Sequence, residues 1–264
     1  MLRAAARRLD KRWRMEQLQR DGNAIVHGDS TTDAAYASVL GGDRCQLVHA
    51  DPPYCLLTRR NKRGQRRDPK RAKINHEAVT RYENIRAYRR FTRAWMELAC
   101  GHLDESGHAI VWTNFLGRGP IQQVAAELGL CFHGEYQWAK LTRKGQGNEI
   151  MARLYEVALI FGRHPAAALR PSDRCPPRHM VSGYDVEGEA GDWDNHPNHK
   201  PFTVLEPLLR HYTAPGERVL EPFSGSGSTA AACVLLGRRV SAIELRAHWA
   251  SVSQERLVDA LGRL

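Results

Sequence analysis

Asp51 and Tyr54 flank two prolines directly after the apolar run "RCQLVHA" (44–50), in the stretch "HADPPYCLL". Proline cannot donate to a sheet ladder, so Pro52 and Pro53 end the strand and hold the acid and the ring on a stiff turn at its carboxyl end. A carboxylate there can accept hydrogen bonds, and the tyrosine ring can stack on a flat partner. An ordinary Asx-Pro turn accounts for the same four residues. A second chemistry-bearing stretch lies about 170 residues downstream: "VLEPFSGSGSTAAACVLLG". Its glycines allow a sharp turn and let a ligand approach main-chain N–H groups at a helix start. No G-K-[ST] follows, so this is not a triphosphate loop. Seventeen residues after Gly227, Glu244 ends the apolar run of "RRVSAIEL", where an acid can accept from both hydroxyls of a ribose. Plain helix–strand packing remains the alternative for the glycines alone; with Glu244 the nucleoside reading is the better one.

Placing these residues requires strands that end beside one another. Short apolar runs alternate with helix-like stretches, the pattern of an α/β chain. Strands are expected at 23–29, 44–50, 107–114, 217–223 and 238–245, with "FHGEYQWAK" and "LYEVALIFGR" forming a hairpin at one edge of the sheet. Residues 82–103 carry Ile85, Tyr88, Phe91, Trp95 and Leu98 at helical spacing. Helices are also expected at 119–130, at about 201–212, after the glycine loop, and through "HWASVSQERLVDAL", with Pro207 kinking or shortening the second of these. From about 163 to 195 Pro, Gly and charge dominate, the mark of a long surface excursion. The economical architecture is a doubly wound, mostly parallel sheet of about seven strands with helices on both faces, spanning 23–264 as one domain. Residues 1–22 form an Arg-rich extension; Asp10, Glu16 and the absence of serine favour a basic surface helix over an organellar transit peptide.

The 264 residues carry a net charge of +10, which favours a polyanionic partner, nucleic acid first. "RRNKRGQRRDPKRAK" (59–73) concentrates nine basic residues against one acid: Arg59, Arg60, Lys62, Arg63, Arg66, Arg67, Lys70, Arg71 and Lys73. A solvated basic loop is the bland reading; phosphate contact beside the Asp51 turn is the sharper one. Six scattered cysteines without a C-x-x-C pair suit a reducing compartment. No apolar run approaches the roughly 20 residues of a membrane span. His196 and His199 in "NHPNHKPF" would need Cys175 or His179 to complete a metal site, so no metal is expected, and Lys200-Pro201 is read as a helix start near the glycine loop.

Taken in order, D-P-P-Y at 51–54, "HPNHKP" at 196–201, "EPFSGSGST" at 221–229 and "IEL" at 243–245 resemble the S-adenosylmethionine-dependent DNA amino-methyltransferases, in their permuted beta group with D-P-P-Y before F-x-G-x-G. "IVHGDS" and "RLYEVALIFGR" fit the same pattern, and the match covers most of residues 23–257. Glu221 stands where the family more often has Asp, and "HPNHKP" replaces H-P-T-Q-K-P. The motif order differs from the N-P-P-Y glutamine and ribosomal methyltransferases, in which the glycine loop comes first.

The resemblance implies a Rossmann-like methyltransferase fold, a site on double-stranded DNA, base flipping, and a cytoplasmic enzyme of bacterial or phage origin such as serves restriction–modification. It implies that Asp51 and the Pro52 carbonyl, fixed by Pro53, accept the two N–H bonds of N6 of adenine while Tyr54 stacks on the base. For the cofactor it implies Glu221, Phe223, Ser224, Gly225, Ser226 and Gly227 at the methionine end, Glu244 at the ribose and Asp29 at the adenine. Asp51 borders the same site, with Lys200 and Ser228 near the cofactor carboxylate. The 163–195 excursion would serve target recognition, and a homodimer is implied by resemblance alone. Alternatives are a cytosine-N4 enzyme, which usually carries S-P-P-Y, an RNA amino-methyltransferase, and a non-catalytic nucleic-acid-binding relative.

Overall fold

In a computed structural model the described residues are 16, 19, 21–58, 80–141, 155–165, 176–183 and 199–263. The basic run 59–73, most of 1–22 and 163–195, and His196 therefore lie outside the described residues. Among the described residues eight strands form one sheet: β1 (Ala24–His27), β2 (Cys45–Ala50), β3 (Leu103–Thr113), β4 (Cys131–Leu141), β5 (Tyr155–Gly162), β6 (His179–Gly183), β7 (Arg218–Glu221) and β8 (Arg239–Glu244). Their spatial order is β1-β8-β7-β2-β3-β5-β4-β6. Only β5 runs against the rest, pairing antiparallel with β3 and β4. The helices are α1 (Asp33–Leu40), α2 (Ile85–Gly101), α3 (Arg118–Glu127), α4 (Phe202–Tyr212), α5 (Ser228–Leu235) and α6 (Ala247–Leu261).

Alternation along the buried strands divides the core into two layers. Val48, Ala109, Val111, Val157, Leu159 and Leu220 pack with α1, α2 and α3 on one face. Leu47, Ile110, Trp112, Ala158, Ile160 and Val219 pack with α4, α5 and α6 on the other. The doubly wound, mostly parallel arrangement expected from the sequence is the one formed.

Three details differ from the sequence reading. The sheet has an eighth strand: His179–Gly183, inside the stretch read as a surface excursion, pairs parallel with the outer side of β4, so the β4–β5 hairpin does not form the sheet edge expected of it. An exposed ladder of backbone groups accepts a short segment of weak intrinsic preference, which no periodicity in five residues can announce. Residues 33–40, given no element from the sequence, form α1, closed by Gly41 in the left-handed region (φ 58°). Pro207 does not shorten α4, which continues through it to Tyr212. The one lost backbone bond is outweighed by burial of Val204, Leu205, Leu208 and Leu209.

The winding reverses between β2 and β7, which are paired neighbours. A crevice at the carboxyl ends of the strands is expected at such a switch point, and the chemistry-bearing residues gather there.

Candidate active site

A cavity of about 590 Å³ opens at this switch point, within the range of small-molecule sites. Its lining includes Asp29 after β1, Asp51, Pro53 and Tyr54 after β2, Glu221 and Phe223–Ser226 after β7, Glu244 at the end of β8, and Lys200 ahead of α4. Residues 150 or more positions apart in the chain therefore share one chamber.

One wall is ionic. The Lys200 ammonium is buried and bonds the Asp51 Oδ2 and, at 3.3 Å, the Glu156 Oε2. The Tyr54 hydroxyl donates to the same Glu156 oxygen at 2.7 Å. Asp51 Oδ1 is buried with no hydrogen-bond partner. Burial raises the Asp51 carboxyl above the usual carboxylate range; Lys200 opposes this and the Glu156 charge adds to it. Burial alone would lower the Lys200 ammonium, but the two carboxylates outweigh it and hold it protonated. Burial, followed by the Asp51 and Glu156 charges, pushes the Tyr54 hydroxyl well up, so it stays a donor. Lys200 also stands 4.7 Å above the ring of Trp112, a cation–π contact.

The opposite wall is built from backbone. Glu244 accepts from the Gly225 N–H at 2.8 Å through Oε2 and from the Arg246 N–H at 2.9 Å through Oε1, leaving acceptor capacity on both oxygens. Gly225 and Gly227 hold φ of 53° and 77°. A Cβ at Gly227 would stand 2.9 Å from the Ser253 Cα, so glycine there serves both the turn and the close approach of α6. Phe223 packs edge-on against Trp95, with ring centroids 5.2 Å apart. Ser224 Oγ shares a 2.6 Å hydrogen bond with Ser253. Asp29, which also lines the cavity, accepts through Oδ1 from the Thr31 N–H and hydroxyl in a local turn.

A buried chain of hydrogen bonds joins the two walls from below. Trp112 Nε1 donates to His49 Nε2 at 2.9 Å, and an indole can only donate, so the His49 proton sits on Nδ1, facing Thr229 Oγ1 at 3.2 Å. Burial, then Lys200, lowers His49 to about 3, so the ring is neutral. Glu221, under the loop, is pushed up to about 8 by burial, although bonds from Thr229 and Ser224 work the other way.

The structure brings together Asp29, Asp51, Pro53, Tyr54, Lys200, Glu221, Phe223–Ser226, Ser228 and Glu244 in that one cavity. Pro52 is buried beneath the turn, and Gly227 caps α5. Lys200, assigned from resemblance to the cofactor carboxylate, has its ammonium at the Asp51 wall. Ser228 bonds His199 at 2.9 Å and Arg256 at 3.1 Å. Sequence reasoning missed Glu156, His49, Trp112 and Arg256. The signal available for two of them was a charged or polar residue within a buried apolar run: Glu156 in "YEVALIFG" and His49 in "LVHA". Arg256, 8% exposed on α6, reaches Ser226 and Ser228 across the loop, and nothing in its local pattern announces this. Among the described residues, no group of three or more His, Cys, Asp or Glu could hold a metal ion, and no helix is long and apolar enough to cross a membrane.

A family model described as DNA methylase matches residues 45–255. The chain belongs to that DNA methylase family. YubD of Escherichia coli (strain K12), by name a methylase, is 35% identical over 117 residues, covering 42% of this chain. The aligned region spans 50% of YubD, half the length of that relative. Among solved structures, the M1.HpyAVI–SAM complex matches at a TM-score of 0.59 and 19% identity, covering 88% of this chain and 98% of that one. The cytosine-N4-specific PvuII DNA methyltransferase matches at 0.63 and 15%, covering 91% and 92%. At these identities the two structures speak for the fold.

Proposed function

We propose that this chain transfers a methyl group from S-adenosylmethionine to an exocyclic amine in double-stranded DNA, and that the amine is N6 of a flipped adenine. The observation that carries this reading is a single cavity with a buried, half-satisfied carboxylate on one wall and a glycine loop with Glu244 on the other. Family membership, the M1.HpyAVI–SAM likeness and the D-P-P-Y form of the turn support it.

The residues suit the cofactor on their chemistry. Glu244 has acceptor capacity for ribose hydroxyls, Phe223, Leu245 and Trp249 offer apolar surface to an adenine, and the loop from Phe223 to Gly227 with Ser228 would hold the methionine end. When bound, the sulfonium supplies an activated methyl group. The protein contributes positioning and electrostatics. An aromatic amine is a poor nucleophile because its lone pair is delocalised into the ring. Asp51 Oδ1 and the Pro52 carbonyl accept its two N–H bonds and concentrate that pair on nitrogen. The Lys200 charge favours the ionised form of Asp51 and so opposes burial and the Glu156 charge. Tyr54, its hydroxyl anchored on Glu156, presents its ring to the flipped base. Asp51, with its raised affinity for protons, is also placed to take the proton that the amine sheds.

The basic residues 59–73 are proposed to hold DNA phosphates, and residues 163–195 to take part in target recognition. Incubating the protein with labelled cofactor and mixed genomic DNA, then identifying the modified nucleoside by mass spectrometry, tests the whole. N6-methyladenine is expected. N4-methylcytosine as sole product would overturn the adenine assignment, and no label in any DNA would overturn the transferase reading.

A further inference from the structure

Phe115 and Leu116 stand 84% and 45% exposed in the short 3-10 turn Phe115–Gly117 that follows β3. Phe115 has the highest exposure of any large apolar residue among the described ones. An exposed phenylalanine forgoes the favourable burial that its ring could give elsewhere.

The turn is held firmly, and it is held to the catalytic turn. Asn114 Oδ1 accepts the Gly117 N–H at 3.0 Å, and Asn114 Nδ2 donates to the Cys55 carbonyl at 3.1 Å. Cys55 directly follows Tyr54. A Cβ at Gly117 would run into the Thr113 hydroxyl, so the backbone is packed tightly against the strand end. In the register of β2 with β3, Ala50 lies beside Val111, which sets Asp51 level with Trp112. Phe115 comes three residues further along, past the carboxyl ends of the strands, at the same end of the sheet as the cavity that holds Asp51.

We infer that Phe115, backed by Leu116, is a wedge that enters the DNA base stack beside the flipped target base. The inference rests on the DNA methyl-transfer reading above. An apolar side chain inserted between base steps lowers the cost of unstacking, and extracting a base leaves a gap of matching flat, apolar character. Asn114 is the positioning residue: it fixes the distance between the wedge and the turn that receives the base. Neither Phe115 nor Leu116 lines the cavity, so their truncation should leave the cofactor site untouched.

The test begins by mapping the methylated site in genomic DNA treated with the wild-type protein. Two duplexes carrying that site are then compared, one fully paired and one with an abasic residue opposite the target base. For Phe115→Ala the methylation rate is expected to fall on the order of tenfold on the paired duplex and to stay within about threefold of wild type on the abasic one, where little pairing is left to break. Phe115→Trp should recover most of the loss. Stabilisation of the variant by added cofactor in thermal unfolding is expected to equal that of the wild type. Equal losses on both duplexes, or no loss on either, would overturn the wedge while leaving the transferase reading intact. Absence of label from the wild-type protein in any DNA would overturn both.

Discussion

The two walls of the cavity are built on opposite principles. The Asp51 wall uses side-chain charge: one cation between two carboxylates, all drawn from distant segments. The Glu244 wall uses main-chain geometry: left-handed glycines, N–H groups and hydroxyls supplied mostly by the continuous stretch 221–229. Charge on the first wall is suited to altering the reactivity of a bound group, because a buried ion pair is sensitive to each of its members. Backbone on the second is suited to holding a ligand of constant shape, since it needs no reorganisation.

Substitutions on the two walls should therefore fail differently. Asp51→Ala is expected to lower methyl transfer by roughly a thousandfold or more while changing cofactor affinity little. Lys200 keeps Glu156 as a partner in that variant, so the fold should survive. Labelled-methyl transfer and calorimetric cofactor titration separate the two, and near-normal activity would end the role given to Asp51. Glu244→Ala should do the converse, weakening cofactor affinity by roughly tenfold to a hundredfold, in line with about 1.5–3 kcal/mol for a hydrogen bond to a charged group. If transfer at saturating cofactor fell as far as in Asp51→Ala, the division of labour between the walls would be wrong.

Gly227→Ala probes the backbone wall itself. With φ at 77° and the Ser253 Cα at 2.9 Å from the new Cβ, it should cost about 1–3 kcal/mol of stability and loosen cofactor binding. Thermal unfolding with and without cofactor reads both, and an unchanged melting temperature would refute the packing argument. The mildest test is Glu156→Gln. On the proposed mechanism transfer needs Asp51 ionised, so activity should be lost as pH falls through the Asp51 pKa. Burial raises that pKa and the Glu156 charge raises it further. Removing the charge should move the acid limb of the pH–rate profile to lower pH, by an amount measured as kcat against pH. A shift to higher pH would mean that Glu156 does not act on Asp51 through its charge.

The same contrast governs what could be read before the structure. Glycines, a small-residue helix and an acid at the next strand end are local signals, and 221–244 folds into the loop and acceptor that they describe. The apolar runs at 107–114 and in "LYEVALIFGR" likewise marked β3 and β5 as strands before their two faces were seen. Strand β6 and helix α1 were not legible: one forms because an edge ladder offers partners, the other because Tyr36 and Val39 find the core. Glu156 and His49 were visible only as oddities within apolar runs.

By itself, the sequence determined the doubly wound fold, the stiff turn at Asp51 and the backbone wall, because these follow from steric restriction and periodicity within short segments. Only the tertiary structure decided that the Lys200 ammonium joins Asp51 and Glu156, residues 149 and 44 positions away. Ionic partners are chosen by burial, where every charge must find its complement, and burial is a property of the assembled sheet.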